Sequence, residues 1–192
     1  RKYYEENPAL APPILNGEGE KVQSHWLFTF LKAPFSVRPW LRLRMPTFGL
    51  TDTEVNTLTN YFNGLSKVEI PYAYFDDRKV PKEHIDAARV LFSKDYFNCL
   101  SCHQQGYRKP EGPPEGWAPD LTLARGRLNP NWILKWLQDP QKVQPGAKMP
   151  SFFPGGPDNI LGGKDDRQLE ALRDYIMTLG KGGSSATGVA SR

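Results

Sequence analysis

Cys99-Leu100-Ser101-Cys102-His103 is the stretch of sequence that decides how the rest of the chain is interpreted. Two thiols three positions apart on a turn can add across the two vinyl groups of one haem. The histidine that follows directly is then carried under the iron, where it serves as an axial ligand. We therefore predict a covalent haem c held by Cys99 and Cys102, with His103 bound to its iron.

The chain has no other cysteines, so this one motif has to account for any competing use of the thiols. A structural zinc site usually takes four ligands from two paired clusters, and the sequence has no second cysteine pair. A thioredoxin-like dithiol would need a βαβ surround, whereas a Pro- and Gly-rich loop follows Cys102. A single disulfide between the two cysteines remains an alternative for an exported protein, but it does not explain the presence of His103.

The composition predicts an all-α fold with short helices and long loops. Hydrophobic residues make up 39% of the 192 residues and charged residues 24%, which is the balance of a globular chain. Most of the 18 prolines and 17 glycines lie between helical patterns, and no long segment alternates with period two. A small fold of this kind has little core of its own, and a covalently held haem would supply the missing apolar interior.

Charge and hydropathy set the expected location and partners. No run approaches the roughly 20 apolar residues of a membrane helix, so we expect no transmembrane span in this chain. A net charge of +4 without a dense basic patch argues against nucleic-acid binding, although it can help to steer an acidic partner. Because haem c is attached outside the cytoplasm, we expect a protein of the periplasm or the extracytoplasmic membrane face. The sequence opens without a signal peptide, which we interpret as the result of processing or cutting.

Two similar segments follow one another along the chain. Their closing parts match without a gap at an offset of 114, and both carry apolar residues with the period of an amphipathic helix. The matched positions are Ala11-Pro12 with Ala118-Pro119, Trp26 with Trp132, Phe30-Leu31 with Trp136-Leu137, Ala33-Pro34 with Asp139-Pro140, Met45-Pro46-Thr47-Phe48 with Met149-Pro150-Ser151-Phe152, and Asp52, Val55, Leu58, Tyr61 and Leu65 with Asp166, Leu169, Leu172, Tyr175 and Leu179.

The repeat and the composition together predict four parts of the chain. Residues 1–66 are predicted to form an incomplete module that lacks a Cys-X-X-Cys-His motif, and residues 67–79 a linker. Residues 80–181 are predicted to form a complete module with a covalent haem. Residues 182–192 have no apolar period and are predicted to be a disordered tail.

Capping residues and apolar spacing predict the helices of the second module. Pro81 is predicted at a first helical position, ahead of an apolar stripe that ends just before Cys99. Asn129-Pro130 is predicted to open a middle helix. Asp165 or Asp166 is predicted to cap the last helix. The stripe consists of Ile85, Ala88, Leu91 and Phe92.

A helix leading into Cys-X-X-Cys-His, an Ala-Pro-Asp-Leu segment, a middle helix, a Met-Pro and a final amphipathic helix follow in order from Pro81 to Leu179. This order resembles the class I c-type cytochromes. The resemblance implies a ligand on each face of the haem and a backbone carbonyl that fixes the orientation of the histidine ring. The residues that it assigns are Cys99 and Cys102 as thioether partners, His103 as proximal ligand, Met149 as distal ligand, and Pro119 as the carbonyl bound by the other ring nitrogen of His103.

The position of Met149 in the sequence also favours its role as a ligand. It follows His103 by 46 positions, with a helix and a loop between, so the chain can return to the opposite face of the haem. Pro150 restricts Met149 to extended backbone and helps to hold the loop rigid. The alternative is that Met149 fills a gap in the core, as most methionines do and as we interpret Met177.

Other side chains near the predicted haem have two interpretations each. Three aromatic residues either hydrogen-bond a propionate or are ordinary core. Arg125 and Arg127 either pair with propionates or, as we expect, are solvated surface residues. Neither His25 nor His84 is assigned to iron. The aromatic residues are Trp132, Trp136 and Tyr175.

The first module keeps Met45-Pro46 but has no Cys-X-X-Cys-His motif. By the spacing of the second module, its motif would fall just ahead of Arg1. Either the protein extends upstream and carries a second haem ligated by Met45, or the module has lost its haem and Met45 is a core residue. We expect the dihaem form, because the sequence lacks a starting Met and a haemless remnant would be short of core.

A haem with both axial positions filled has no open site for a substrate, so we predict an electron carrier rather than an enzyme. The predicted partners are redox proteins, namely a membrane quinol-oxidising complex or a terminal oxidase. The alternatives are a dihaem enzyme of the peroxidase or thiosulfate-oxidising type, which needs an open sixth position, and a haem-bearing structural subunit of a respiratory complex. Lys142, Lys148 and Lys164 either form part of the docking face for an acidic partner or are solvated surface lysines.

Overall fold

A computed structural model describes residues 15–38, 44–68 and 75–180 of the chain. Within these ranges the regular structure is helical, and β-type pairing is limited to isolated bridges. The predicted all-α fold of short helices and long loops is therefore confirmed. The α-helices are α1 (Glu18–Lys21), α2 (Ser24–Lys32), α3 (Asp52–Leu65), α4 (Lys82–Leu91), α5 (Ala124–Arg127), α6 (Pro130–Gln138), α7 (Pro140–Val143) and α8 (Asp165–Thr178). Short 3-10 turns lie at Asp77–Lys79, Cys99–Ser101, Pro114–Gly116, Leu121–Leu123 and Leu161–Gly163.

The last helix, α8, lies at the centre of the second half. It packs against α4, α5 and α6, and most of the apolar residues on these helices share one buried core. Leu91, Leu172 and Met177 are completely buried there, so Met177 is a core residue as predicted. Burial of a side chain of this size stabilises a fold by about 1.5–3 kcal/mol. The packing of α4 on α8 therefore contributes to the stability of the second half.

A buried polar cluster also joins α4 to α8. Nδ1 of His84 lies 2.7 Å from Oδ2 of the buried Asp174, and Nε of Arg173 donates to Oδ1 of the same carboxylate at 2.6 Å. A cavity of about 250 Å³ opens beside Asp174 and Arg173, and its lining includes neither cysteine nor Met149. The cluster is thus a helix-to-helix contact away from the haem motif, and it accounts for His84 without iron.

The boundaries of α4 differ from the prediction. Pro81 is the N-cap rather than the first helical residue, and the helix ends at Leu91, well before Cys99. The residues between form turns and lead to Asn98, which has a left-handed backbone with φ of 48°. Asn adopts this conformation more readily than most residues, so the chain can reverse direction directly ahead of the motif.

The capping prediction holds for α6 and is wrong for α8. Asn129 caps α6 as predicted, because its side chain accepts from the N–H of Asn131. Asp165 is the first residue of α8 rather than its cap, and Lys164 takes the N-cap position without a side-chain bond. The Asp165 carboxylate accepts instead from the N–H of Gly156 at 2.9 Å, which ties the preceding loop to the start of the helix.

The first half has a small core between α1, α2 and α3. Helix α3 opens with a capping box in which Thr51 and Glu54 each accept a hydrogen bond from the other's backbone N–H. Gly19 lets α1 touch the end of α3, because a Cβ at this position would collide with the carbonyl of Phe62. The buried residues of this core are Val22, Leu27, Leu31 and Val55.

The two halves meet at an antiparallel bridge between Val22 and Leu128. A cationic side chain lies over an indole ring on each side of the bridge, with Arg127 5.1 Å from the ring centre of Trp26 and Lys21 5.8 Å from that of Trp132. Two backbone hydrogen bonds flank the bridge, from the N–H of Gln23 to the carbonyl of Arg127 and from the N–H of Asn129 to the carbonyl of Lys21, both 2.9 Å long.

Parts of the predicted domain scheme lie outside the described residues. These parts are residues 1–14 and 39–43 of the first module, which include Ala11-Pro12, residues 69–74 of the linker, Lys181 of the second module and the whole of the tail at 182–192. Across the described ranges, no helix has the length and apolar character needed to cross a membrane.

Candidate haem site

The Cys-X-X-Cys-His segment forms a tight turn after the loop that follows α4. Cys99–Ser101 is a single 3-10 turn, and the N–H of His103 donates to the carbonyl of Cys99 at 3.0 Å. The two cysteines form no disulfide, and Cys99 is half-buried whereas Cys102 is exposed. Burial raises the pKa of the Cys99 thiol before haem attachment. The two sulfurs are thus presented from one short turn.

The His103 ring is oriented by a backbone carbonyl. Nδ1 of His103 lies 2.9 Å from the carbonyl oxygen of Pro119, the contact that was expected of this proline. Because a carbonyl only accepts hydrogen bonds, Nδ1 carries the hydrogen and Nε2 keeps a lone pair. Burial lowers the pKa of His103 below its usual value, which keeps the imidazole neutral at pH 7. A neutral ring with a lone pair on Nε2 is the form that binds a metal.

Backbone hydrogen bonds clamp the segment around His103 to residues 118–121. The N–H of Ala118 donates to the carbonyl of Cys102 at 2.7 Å, and the N–H of Leu121 donates to the carbonyl of Gln104 at 2.8 Å. These bonds place the Pro119 carbonyl beside the imidazole, so the ring orientation follows from the course of the backbone.

Asp120 supports this clamp, a role that was not predicted from the sequence. Its carboxylate accepts from the N–H of Gly106 at 3.1 Å and from the N–H and hydroxyl of Thr122 at 2.9 and 2.8 Å. One side chain therefore joins the loop after His103 to the turn after Pro119. The sequence does contain a pattern that predicts this role, because an Asp followed two residues later by Thr is typical of an Asx turn that caps a helical turn.

Met149 lies on the loop after α7, half-buried against the same core as Cys99. Nε1 of Trp136 donates a hydrogen bond to Sδ of Met149 at 3.0 Å. The indole N–H is thus directed at the thioether. This contact differs from both interpretations of Trp136, which were a hydrogen bond to a propionate and a residue of the core. A thioether sulfur has two lone pairs, so one hydrogen bond leaves the other lone pair available for a metal.

Aromatic contacts bring the two ends of the site together. The ring of Phe97, just before Cys99, stacks on Phe152 with ring centres 4.5 Å apart, and it meets Phe153 edge to face at 5.5 Å. These residues join the segment ahead of the motif to the segment that follows Met149. The contacts also line this part of the site with apolar surface.

The two arginines are not the solvated surface residues that we expected. Nη1 of Arg125 donates to the carbonyl of Met177 at 3.2 Å, and the partly buried Arg127 lies over the ring of Trp26. Both side chains are bound by the protein because α5 packs between α8 and the first half.

Met45 and the three lysines of the predicted docking face lie on the surface. Met45 is 40% exposed and belongs to neither buried cluster of the described chain, so its interpretation as a core residue is wrong. The three lysines of the predicted docking face are also exposed.

The residues present fit a haem c. Two thiols would form the thioethers, and a neutral imidazole and a thioether on a separate segment have the donor atoms that would hold the iron. In the described ranges, no group of three or more His, Cys, Asp or Glu side chains is arranged to hold a metal ion without a cofactor. A bound haem supplies one-electron chemistry, while the protein supplies attachment, ligand orientation and an apolar surround.

The cytochrome c family profile matches residues 85–180, which is half of the chain. The chain belongs to the cytochrome c family. This cytochrome is therefore a haem electron-transfer protein, and its cofactor is covalently bound haem c. The profile covers the second predicted module, and the tandem arrangement stays a prediction.

Among curated proteins, the cytochrome is similar to cytochrome c oxidase subunit 2 of Bacillus subtilis (strain 168). The two sequences are 26% identical over 143 residues, which cover 70% of the cytochrome and 36% of the subunit. The chain thus matches about a third of the length of this relative. No solved structure gives a significant match.

Proposed function

We propose that the cytochrome is an extracytoplasmic electron carrier whose haem is attached to Cys99 and Cys102 and ligated by His103 and Met149. The hydrogen bond from Nδ1 of His103 to the carbonyl of Pro119 carries the proposal. It fixes the tautomer that leaves Nε2 for iron, and it does so on the segment that also presents the two thiols.

The second ligand sets the chemistry that we propose. A neutral thioether favours Fe(II) over Fe(III), so ligation by Met149 keeps the reduction potential high. With His103 and Met149 on the two axial positions, no position remains for a substrate. Exchange of single electrons at the exposed edge of the site is the reaction that this arrangement supports.

The proposed partners are respiratory redox proteins. The similar Bacillus subtilis protein is a cytochrome c oxidase subunit by name, and we propose that this cytochrome also works beside a membrane complex, either a quinol-oxidising one or a terminal oxidase. Attachment of haem c outside the cytoplasm supports a location in the periplasm or at the extracytoplasmic membrane face.

The optical spectrum of the oxidised native protein tests the proposal. A carrier with Met149 on the iron is expected to show the weak near-infrared band of sulfur-to-iron charge transfer and to accept one electron per haem in a reductive titration. A high-spin spectrum with rapid binding of peroxide would favour the enzyme alternative instead. Osmotic-shock fractions and protease treatment of intact cells test the location.

A further inference from the structure

We infer that Asp139 and Gln141 are positioning residues for Met149. Together they hold the loop that carries its sulfur, and so they determine how readily the axial position opposite His103 opens. The inference rests on the proposed function, in which Met149 is the second ligand of the iron. It is carried by hydrogen bonds that reach the loop on both sides of Met149.

Gln141 holds the Met149 loop through its backbone. Nε2 of Gln141 donates to the carbonyl of Ala147, and it also donates to the carbonyl of Met149 at 3.4 Å. An amide nitrogen carries two hydrogens, so both bonds can form at once. One side chain therefore joins the proposed ligand to the residue two positions before it.

Asp139 holds the same loop on the other side of the ligand. Its Oδ1 accepts from the hydroxyl of Ser151 at 3.3 Å and from the N–H of Lys142 at 3.1 Å. The bond to the N–H of Lys142 caps α7, so the carboxylate links the start of this helix to the residue two positions beyond Met149. Hydrogen bonds to an ionised carboxylate are stronger than those between neutral groups.

Helix α7 gives both side chains a fixed base. Its first residue, Pro140, lies between Asp139 and Gln141 and is almost completely buried. A proline at this position has the φ that a helix requires, so the start of α7 is held both by packing and by the backbone. Helix α7 also packs against α6, whose Trp136 donates to Sδ of Met149. The backbone of the loop and the sulfur are thus held by two helices in contact.

These contacts make the position of the ligand depend on the protein as well as on the iron. The Met149 side chain leaves the axial position only if its loop moves, and that motion breaks the bonds to Gln141 and to Asp139. Each bond that is lost on opening lowers the population of the open form. The clamp therefore keeps small molecules such as peroxide from the iron, which restricts the protein to exchange of electrons.

Cyanide binding to the oxidised, haem-loaded protein tests the inference, because cyanide competes with Met149 for one axial position. Its apparent affinity rises in proportion to the fraction of protein that is open. Gln141→Ala and Ser151→Ala each release one side of the loop, and Ser151→Ala leaves the cap of α7 in place. Each is expected to raise the affinity about two- to tenfold, the range that one hydrogen bond sets. Unchanged affinity in both variants would overturn the inference.

Two matched controls separate the clamp from general effects of substitution. Gln144 is exposed on the same stretch, and its side chain forms no hydrogen bond with any described residue, so Gln144→Ala is expected to keep the parent affinity. Ser151→Thr retains the hydroxyl that Asp139 accepts and is also expected to keep it. A rise in Gln144→Ala equal to that in Gln141→Ala would overturn the role of Gln141. A rise in Ser151→Thr equal to that in Ser151→Ala would overturn the role of Asp139.

The same variants in a Met149→Ala background distinguish positioning of the ligand from a direct effect on the haem surroundings. Because no ligand remains to be held there, Gln141→Ala and Ser151→Ala are expected to leave the cyanide affinity unchanged. Equal gains in both backgrounds would overturn the inference while leaving the proposed function intact. A Met149→Ala variant that binds cyanide no more tightly than the parent would contradict the proposed function instead.

Discussion

Nε1 of Trp136 donates a hydrogen bond to Sδ of Met149 over 3.0 Å. The donor lies on α6, and the acceptor lies on the loop that follows α7. A hydrogen bond draws electron density from the sulfur, so a thioether held in this way is a weaker donor to Fe(III). Trp136 is therefore a positioning residue that also adjusts the proposed ligand.

Trp136→Phe is expected to lower the reduction potential. Without the indole N–H the sulfur donates more strongly to Fe(III), which stabilises the oxidised state. A neutral hydrogen bond of about 0.5–1 kcal/mol corresponds to a shift of about 20–40 mV for one electron. Potentiometric titration measures the shift, and Trp132→Phe, one turn earlier on α6, is the control. Equal shifts in both variants would attribute the change to packing rather than to the hydrogen bond.

Met149→Ala is expected to leave the haem attached, because neither thioether involves this residue. The potential should fall, since the thioether no longer favours Fe(II). Cyanide should bind to the oxidised protein at least about tenfold more tightly, the change produced by losing about 1.4 kcal/mol of competition from a protein ligand. Spectroscopic cyanide titration measures this, with Met177→Leu in the buried core as the control. A potential and affinity unchanged from the parent would rule Met149 out as the ligand.

The fold class and the haem motif could be predicted from sequence because both depend on local chemistry. Two cysteines and a histidine within five residues indicate haem attachment without any information on tertiary contacts. Asn129-Pro130 likewise predicts the start of a helix from two adjacent residues. The prediction that Asp165 caps α8 was wrong because of a tertiary contact. Its carboxylate accepts a hydrogen bond from the N–H of Gly156 in the preceding loop rather than from the first turn of the helix.

Contacts between segments that are distant in the sequence could not be predicted from sequence patterns. Trp136 and Met149 are 13 positions apart on different elements, and nothing in their spacing distinguishes a bond to sulfur from a bond to a propionate. Arg127 was expected in solvent because arginine usually is, whereas the packing of α5 against the first half places it over Trp26.

Asp120→Ala is expected to destabilise the haem-loaded protein by about 1–3 kcal/mol, because it leaves the N–H groups of Gly106 and Thr122 without their acceptor. Thermal unfolding followed at the haem absorbance measures the loss. Asp120→Asn keeps one acceptor oxygen and should recover part of the stability. Thr122→Val removes only the hydroxyl bond and should cost less than Asp120→Ala. A larger loss in Thr122→Val would contradict the role of the carboxylate.

Electrostatic docking through three exposed lysines is the last expectation. Lys142, Lys148 and Lys164 are exposed, and a triple Lys→Glu variant should slow electron transfer to an acidic partner. The rate of the parent protein should also fall steeply with ionic strength, because the Debye length shrinks to about 3 Å at 1 M salt. Stopped-flow mixing with the isolated partner complex measures both effects.

The control changes the exposed Lys67, Lys79 and Lys82 to Glu, which alters the net charge equally at other positions. A rate that is independent of salt would exclude electrostatic docking, and equal slowing by the two triple variants would show that net charge, rather than this face, steers the encounter.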